Sequence, residues 1–394
     1  MGATAKNKAK IGLILTGGGA RAAYQVGVLK AVAKLLPEGA ANPFRIICGS
    51  SAGAINAAAL AIYADRFQEG VRRLAWVWEN FHVNQVFRAD ARSMSLRILR
   101  WFAAVASAGL WPYKPHSLLD NQPLRDLLDE IVPCKEIQSN IDKGALDAVC
   151  ITASGYTSGE SVSFFQARPG IEAWRRERRV GSAAQITTDH LVASAAIPLI
   201  FPAVQVSREY FGDGSMRQSA PLSPALHLGA QRLLVIGVRR EKLVHLPREQ
   251  YTANYPGFGQ IAGFILDTLF LDSLYTDIER LQRINKTISL IPDHRLEEEG
   301  STLRHVEILR ISPSQDISAI AARHYHDFPR PVRYLLRAIG ALKAEGRGLM
   351  SYLLFERAYC RELIHQGYID TMAVKGELMA FLNDDSYESG EGVR

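Results

Sequence analysis

Cysteines are scarce and long apolar runs are missing from this chain of 394 residues. Its four cysteines are Cys48, Cys134, Cys150 and Cys360. None forms a C-x-x-C pair or lies near a histidine pair with zinc-ligand spacing, which excludes a small disulfide scaffold and the common zinc modules. Cys48 and Cys150 lie in apolar, strand-like runs, as buried reduced thiols do, so we expect a reducing compartment. No run of 18 apolar residues occurs, so no spanning helix is expected.

The first residues carry no recognisable export or lipidation signal. Lys6, Lys8 and Lys10 precede the apolar run Ile11–Leu15, which is shorter than the roughly 7–15 apolar residues of a signal peptide. Position 6 is a lysine, whereas a myristoylation site requires serine or threonine there. From these features we expect a cytoplasmic protein.

Charge of one sign is spread along the chain and forms only local clusters. Forty-six Lys and Arg against 40 Asp and Glu give a formal net charge of +6. A nucleic-acid-binding protein usually gathers such charge in one stripe with interleaved aromatic residues. The spread observed here argues against nucleic acid as a partner. It favours peripheral contact with anionic lipid, at the inner face of a membrane.

The beginning of the chain alternates strand and helix patterns. Ile11–Thr16 and Phe44–Cys48 are short apolar runs typical of buried strands, and Ala20–Leu36 and Ala54–Ala64 have the apolar composition and spacing of helices. This alternation predicts an α/β fold with a mainly parallel sheet covered by helices. Farther along, Thr287–Ile291 is predicted as a strand.

The chain divides into four parts by pattern. Residues 1–10 form an N-terminal tail, and residues 11–240 form an α/β domain whose residues from about 66 to 132 are a helical insert. Residues 241–383 are predicted to be mainly helical, and residues 384–394 form a polar tail. The sequence contains no internal repeat.

The most informative motif is Gly49-x-Ser51-x-Gly53, between a predicted strand and a predicted helix. A nucleophilic serine needs an exposed, rigidly held hydroxyl, which a sharp strand-to-helix turn provides, and glycines let that turn pass close to its neighbours. The helix N-terminus adds N–H groups that favour an oxyanion. An ordinary Gly-Ser turn is the alternative.

A second glycine-rich turn, Gly17-Gly18-Gly19-Ala20-Arg21, also joins a strand to a helix; its three glycines are called the glycine loop below. Its N–H groups are suited to an anion, either the oxyanion of acyl transfer or a dinucleotide pyrophosphate. The second use fits G-x-G-x-x-A, but Glu38, the nearest acid, follows a helix end instead of a strand. A plain turn is the third alternative, and no P-loop is present.

Asp213 lies between Gly212 and Gly214, where the backbone can bend and the carboxylate is unshielded. Such a carboxylate can take a proton from Ser51 if burial raises its pKa, although a turn aspartate is the common alternative. None of the ten histidines stands in a context that would place it beside Ser51, so the pattern lacks a Ser-His-Asp triad.

Together these motifs resemble the patatin-like phospholipases, in particular their bacterial branch. The glycine loop with Arg21, the Ser51 motif and Asp213-Gly214 occur in the family's order, and Ala193–Pro202 is similar to the block preceding its aspartate. The resemblance covers residues 11 to about 240. It departs from the family at Ala22 and at Ser215, whose hydroxyl would lower the pKa of Asp213.

The resemblance implies a three-layer α/β/α fold and hydrolysis of phospholipid or related acyl esters through an acyl-enzyme. Ser51 would be the nucleophile and Asp213 the base, without a metal or a cofactor. The implied supporting residues are Gly17, Gly18 and Gly19 as the oxyanion hole, Arg21 as the brace of that loop, and Gly49 and Gly53 as the flanks of the nucleophile elbow.

Three other functions remain open from the sequence. A transacylase would use the same dyad with an alcohol or lysolipid in place of water. A nucleotide-binding oxidoreductase would use Gly17–Ala22 for a cofactor, and a catalytically silent module would only bind membranes. Separately, Arg330–Lys343 is a basic amphipathic helix, which either docks on an anionic bilayer or packs on the core as a surface helix.

Overall fold

The computed structural model describes five stretches of the chain, residues 9–90, 117–240, 255–298, 303–342 and 346–383, and the single positions 92, 96, 99, 100 and 106. The predicted polar tail 384–394 lies outside the described residues. So do most of the N-terminal tail and the middle of the helical insert.

One ten-stranded sheet organises the fold. Its strands are β1 Ile11–Leu15, β2 Phe44–Ser50, β3 Ala148–Gly155, β4 Ser161–Ala167, β5 Trp174–Arg176, β6 Arg179–Ala183, β7 Val204–Val206, β8 Glu209–Gly212, β9 Arg232–Ile236 and β10 Glu307–Ile311. The order is β10-β9-β1-β2-β3-β4-β6-β5, and β8 pairs with β3 and β7. From β10 to β3 all pairs are parallel.

Fifteen α-helices occur in the described residues. They are α1 Ala23–Leu35, α2 Ala52–Ala61, α3 Phe67–Glu79, α4 Gln122–Ile131, α5 Glu136–Asp142, α6 Thr188–Ser194, α7 Ser223–His227, α8 Phe258–Asp267, α9 Ser273–Ile288, α10 Asp293–Glu298, α11 Ile317–Arg323, α12 Arg330–Ala338, α13 Arg347–Leu353, α14 Arg357–Ala373 and α15 Lys375–Asn383. No helix in this part of the chain is long and apolar enough to cross a membrane.

The central strands are buried on both faces, which explains their uninterrupted apolar sequences. In β1, Leu13 and Leu15 belong to a core shared with α1 to α3, whereas Ile14 belongs to a core with α7 and α9 on the other face. Successive side chains of a strand point to opposite faces, so the sheet lies between two helical layers. The predicted α/β class with a mainly parallel central sheet is therefore confirmed.

The sheet register brings the two glycine-rich turns together. In the parallel pair of β1 and β2, Leu15 is opposite Gly49. The turn after each strand therefore leaves the same carboxyl edge, where ligand crevices of open α/β sheets lie. This places the glycine loop beside the turn that holds Ser51.

The region after residue 240 packs on the same core. Strand β10 pairs with β9, and α14 crosses α1 so closely that a methyl group at Gly27 or Gly367 would strike the opposing backbone. The domain boundary between residues 240 and 241 stays a prediction, and these contacts cross it.

The predicted strand Thr287–Ile291 is wrong, because α9 continues to Ile288 and a turn follows. Leu274, Ile278 and Leu281 are buried along one side of that helix, and this helical burial outweighs the β-branched composition of its last turn.

Candidate active site

Ser51 stands at the turn between β2 and α2 in a strained backbone conformation, with φ 54° and ψ −133°. L-residues rarely adopt a positive φ, and such strain concentrates at functional sites. The flanking glycines are required here, because a methyl at Gly49 would collide with the carbonyl oxygen of Gly53 and a methyl at Gly53 with that of Leu15. The sharp turn holds the Ser51 side chain at the N-terminus of α2.

Ser194, at the end of α6, fixes this turn from the other side. Its Oγ accepts a hydrogen bond of 2.9 Å from the Ser51 N–H and donates one of 2.6 Å to the carbonyl oxygen of Thr152 in β3. Ser194 is fully buried. In the sequence it lies inside the block Ala193–Pro202 and carries no predicted role, since nothing local indicates a partner 143 residues away.

Asp213 follows β8 and is completely buried. Its N–H donates to the carbonyl oxygen of Ala196 over 2.9 Å, and its Oδ1 accepts from the N–H of Ser215 over 2.9 Å. Its Oδ2 accepts no hydrogen bond of good geometry from the described part of the chain. One lone-pair side of the carboxylate is thus left for a proton or a substrate group.

Burial raises the pKa of Asp213 to about 7, and the hydroxyl groups of Ser51 and Ser215 limit that rise by interacting with the ionised form. The effect of Ser215 has the direction that we expected from its departure from the family motif. A carboxyl group with a pKa near neutrality can both accept and return a proton at physiological pH.

The glycine loop lies directly against the side chains of Ser51 and Ser215. A methyl added at Gly17 would approach the Cβ of Ser51 to 2.9 Å and would collide with the Oγ of Ser215. Gly19 has a φ of 54° and faces the backbone carbonyl of Tyr352. The N–H groups of Gly18 and Gly19 donate to no acceptor among the described residues, so both are available to an anion.

Arg21 is buried behind the loop and holds it to the C-terminal helices. Its Nε donates to Ser351 Oγ over 2.8 Å and its Nη1 to Asp267 Oδ1 over 3.0 Å. The guanidinium also lies 3.8 Å from the ring centroid of Tyr352. A buried arginine with several partners holds the loop in one position, because a movement that broke one of these contacts would leave its charge uncompensated.

A chain of buried polar groups supports the start of the loop. Trp78 Nε1 donates to Asn56 Oδ1, Asn56 Nδ2 donates to Gln25 Oε1, and Gln25 Nε2 donates to the carbonyl oxygen of Thr16. The three bonds measure 2.8–2.9 Å. They connect α3, α2 and α1 to the residue that precedes Gly17, and a fully satisfied buried network of this kind specifies a single geometry.

An apolar cavity of about 440 Å³ begins at Ser51 and Gly19. It runs between α2, α3 and α4, and its lining includes Ile55, Leu74, Val77, Phe81, Leu128 and Phe201. Among the described lining residues only Arg73 and Glu130 are charged, and the side chain of Arg73 is largely exposed. The cavity therefore leads from the serine through apolar walls toward a charged outer end.

Neither a histidine nor a cluster of metal ligands stands beside Ser51 in the part of the chain that the structure describes. No histidine there lines the apolar cavity or hydrogen-bonds to Ser51 or Asp213, and no group of three potential metal ligands occurs there. The groups that meet at this edge of the sheet are a serine, a carboxyl group and unpaired backbone N–H groups.

Comparison with known proteins identifies the family. The family described as patatin-like phospholipase matches residues 13–226, more than half of the chain and a span that includes both Ser51 and Asp213. The chain belongs to this family. A related protein is the cGAMP-activated phospholipase of Pseudomonas aeruginosa, which is 28% identical over 217 residues.

These relatives differ in how much of each chain is compared. The match to the Pseudomonas protein covers 55% of this chain and 55% of that protein, so the matched part of this chain spans about half the length of the curated relative. Among solved structures, VipD from Legionella pneumophila aligns over 96% of this chain and 72% of its own, with 12% identity and a TM-score of 0.33.

Proposed function

We propose that this patatin-like chain hydrolyses acyl ester bonds of phospholipids or related lipids, with Ser51 as nucleophile and Asp213 as general base. The observation that carries the proposal is the apolar cavity that starts at Ser51. An acyl chain needs an apolar channel that ends at the nucleophile, and a cavity of about 440 Å³ lies in the range of ligand pockets.

The buried carboxyl group provides the proton acceptor. In the proposed reaction the Oγ of Ser51 attacks the ester carbonyl carbon and its proton passes to the free Oδ2 of Asp213. Collapse of the tetrahedral intermediate expels the alcohol, which takes that proton, and leaves an acyl-enzyme. Asp213 then takes a proton from water, whose oxygen attacks the acyl carbon, and returns it to Ser51 as the fatty acid leaves.

The glycine loop is assigned to the oxyanion. The N–H groups of Gly18 and Gly19 have no other acceptor in the described residues, and the positive end of α2 lies on the same side of Ser51. Removing one such donor typically costs about 2.7–4 kcal/mol of transition-state stabilisation. Arg21 acts on this loop as a positioning residue, through its bonds to Ser351 and Asp267.

Two alternatives use the same elements differently. A transacylase would retain Ser51 and Asp213 and pass the acyl group to an alcohol or lysolipid. A dinucleotide site in the glycine loop is disfavoured, because the cavity that opens at Gly19 is lined mainly by apolar side chains and Glu38 is exposed beyond the end of α1. Fatty-acid release without an added acceptor, compared with acyl transfer to added lysolipid, distinguishes hydrolysis from transacylation.

The test is labelling by a fluorophosphonate with mapping of the modified peptide, combined with fatty-acid release from phosphatidylglycerol vesicles. Wild type should be labelled on Ser51 and should release fatty acid. Ser51→Ala should lose both, Asp213→Asn should be labelled much more slowly, and the exposed Ser289→Ala serves as control. Labelling of another residue, or unchanged hydrolysis by Ser51→Ala, would refute the proposal.

The lipid substrate also defines the expected partners and place of action. We propose contact with a phospholipid surface as a peripheral protein at the cytoplasmic face of a membrane. Binding to vesicles with and without anionic lipid, measured by cosedimentation, tests this part separately from catalysis.

A further inference from the structure

A second cavity lies beside α13, the helix that also contacts Arg21 and Gly19. It has a volume of about 840 Å³ and is formed by α11, α12, α13 and the turn between α11 and α12. Its polar lining consists of Tyr325, His326, Arg333, Tyr334, Arg337 and Arg347. This arginine cavity includes the basic helix that the proposed hydrolysis leaves without a role.

No described carboxylate lies within ion-pair distance of the three arginines of this cavity, although Arg347 also lines a neighbouring cavity that includes Asp267 and Asp316. No acidic residue is among the described lining residues of the arginine cavity itself. Arg333 makes a single hydrogen bond, of 3.3 Å, to the carbonyl oxygen of His326. Three guanidinium groups around one cavity give it a positive potential that attracts anions.

The remaining polar groups suit a phosphate. Arginine binds phosphate oxygens in a bidentate manner, and the hydroxyl groups of Tyr325 and Tyr334 are further donors. The ring of Tyr325 lies 3.7 Å, centroid to centroid, from that of His326, which gives the cavity an aromatic wall. We propose that the arginine cavity binds a phosphate-bearing ligand, either a soluble phosphate ester or the headgroup of an anionic lipid.

Helix α13 contacts both the arginine cavity and the region of the glycine loop. Arg347 and Met350, three residues apart, line the arginine cavity. Gly348, Ser351 and Tyr352 of the same helix contact the loop region: the Gly348 carbonyl and the Ser351 hydroxyl accept hydrogen bonds from Arg21, and the Tyr352 carbonyl covers Gly19. One turn of helix therefore separates the arginine cavity from the proposed oxyanion loop.

This geometry makes the phosphate ligand a regulator of the loop. A ligand held by Arg347 together with Arg333 and Arg337 on α12 ties α13 to α12 and shifts or rigidifies α13. Because Arg21 is bonded to α13, the glycine loop responds. This regulatory part rests on the proposed function, whereas ligand binding itself does not.

Binding is tested by calorimetry with inorganic pyrophosphate and adenosine 5′-monophosphate, and by cosedimentation with phosphatidylcholine vesicles with and without phosphatidic acid. Arg333→Gln/Arg337→Gln should weaken binding about tenfold or more, since a hydrogen bond to a charged group carries at least that factor. Arg333→Lys/Arg337→Lys should weaken it less. Arg283→Gln/Arg295→Gln removes the same charge from exposed positions outside the cavity and should bind as wild type does.

The pattern of binding identifies the source of the phosphate. Arginine-dependent binding of the soluble compounds indicates a soluble ligand, and arginine-dependent binding of phosphatidic acid vesicles alone indicates a headgroup. Either result supports the proposal. No binding, or equal loss in the Arg283→Gln/Arg295→Gln control, overturns it, and thermal unfolding shows that each variant is folded.

Coupling is tested by hydrogen exchange in residues 17–22 with whichever of these probes binds. Exchange there should change at least twofold in wild type and not in Arg333→Gln/Arg337→Gln. Unchanged exchange despite binding overturns the regulatory part. Because neither readout requires turnover, failure of the proposed hydrolase activity leaves both results interpretable.

Discussion

Replacing Asp213 by Asn should abolish the proposed base and at the same time stabilise the fold at neutral pH. The folded protein buries this carboxyl completely, with Oδ2 unpaired in the described residues, and burial raises its pKa from 3.8 to about 7. Ionising this carboxyl therefore costs more free energy in the folded state than in the unfolded chain.

The sign and size follow from proton linkage. Below pH 3.8 the carboxyl is protonated in both states, so burial carries no ionic penalty. As pH rises from 3.8 to about 7 the unfolded chain ionises first, and the folded state loses stability until it ionises too. One pKa unit corresponds to about 1.4 kcal/mol, so the full loss is about 4 kcal/mol, of which about 3 kcal/mol falls between pH 5 and pH 8.

Asparagine cannot ionise, so the Asp213→Asn variant should escape this loss. Its free energy of unfolding minus that of wild type, from urea denaturation, should increase by about 3 kcal/mol from pH 5 to pH 8. A constant offset from local repacking does not affect this difference. Asp142→Asn, at an exposed carboxylate that accepts from Gln138, is the matched control. Parallel stability curves for wild type and Asp213→Asn would refute the raised pKa.

Three further changes probe the same site. Ser194→Ala leaves the buried N–H of Ser51 without an acceptor, so it should lower stability by about 1–3 kcal/mol and slow fluorophosphonate labelling at least tenfold; an unchanged labelling rate would contradict the anchoring role. Leu74→Trp fills part of the apolar cavity and should shift hydrolysis toward shorter acyl chains, measured on a chain-length series. Ser215→Gly removes a hydroxyl that lowers the pKa of Asp213, so the rising limb of the pH–rate profile should move to higher pH. An unchanged profile would show that the Ser215 hydroxyl does not influence the pKa of Asp213.

The turns at Ser51 and at the glycine loop could be predicted from the sequence because the information for them is local. Gly49 and Gly53 are needed where the backbone turns sharply beside Ser51, and a strand-to-helix change surrounds them. Two such turns after parallel strands must lie at the same edge of a sheet. Their closeness therefore follows from pattern and topology together.

The remaining features depend on contacts between distant residues. Arg21 meets Ser351 across 330 positions and Asp267 across 246, and the motif that includes Arg21 says nothing about these partners. The apolar cavity exists only where α2, α3 and α4 leave space between them. Packing also decided the end of α9, where β-branched residues had indicated a strand.

The most direct test of the central claim is the site of fluorophosphonate modification in the wild-type chain. The account predicts one adduct on the peptide that contains Ser51, formed faster as pH rises through about 7 because Asp213 must be ionised to accept the proton. A folded protein that remains unlabelled in the presence of phospholipid vesicles, or one labelled on a different residue, would contradict it.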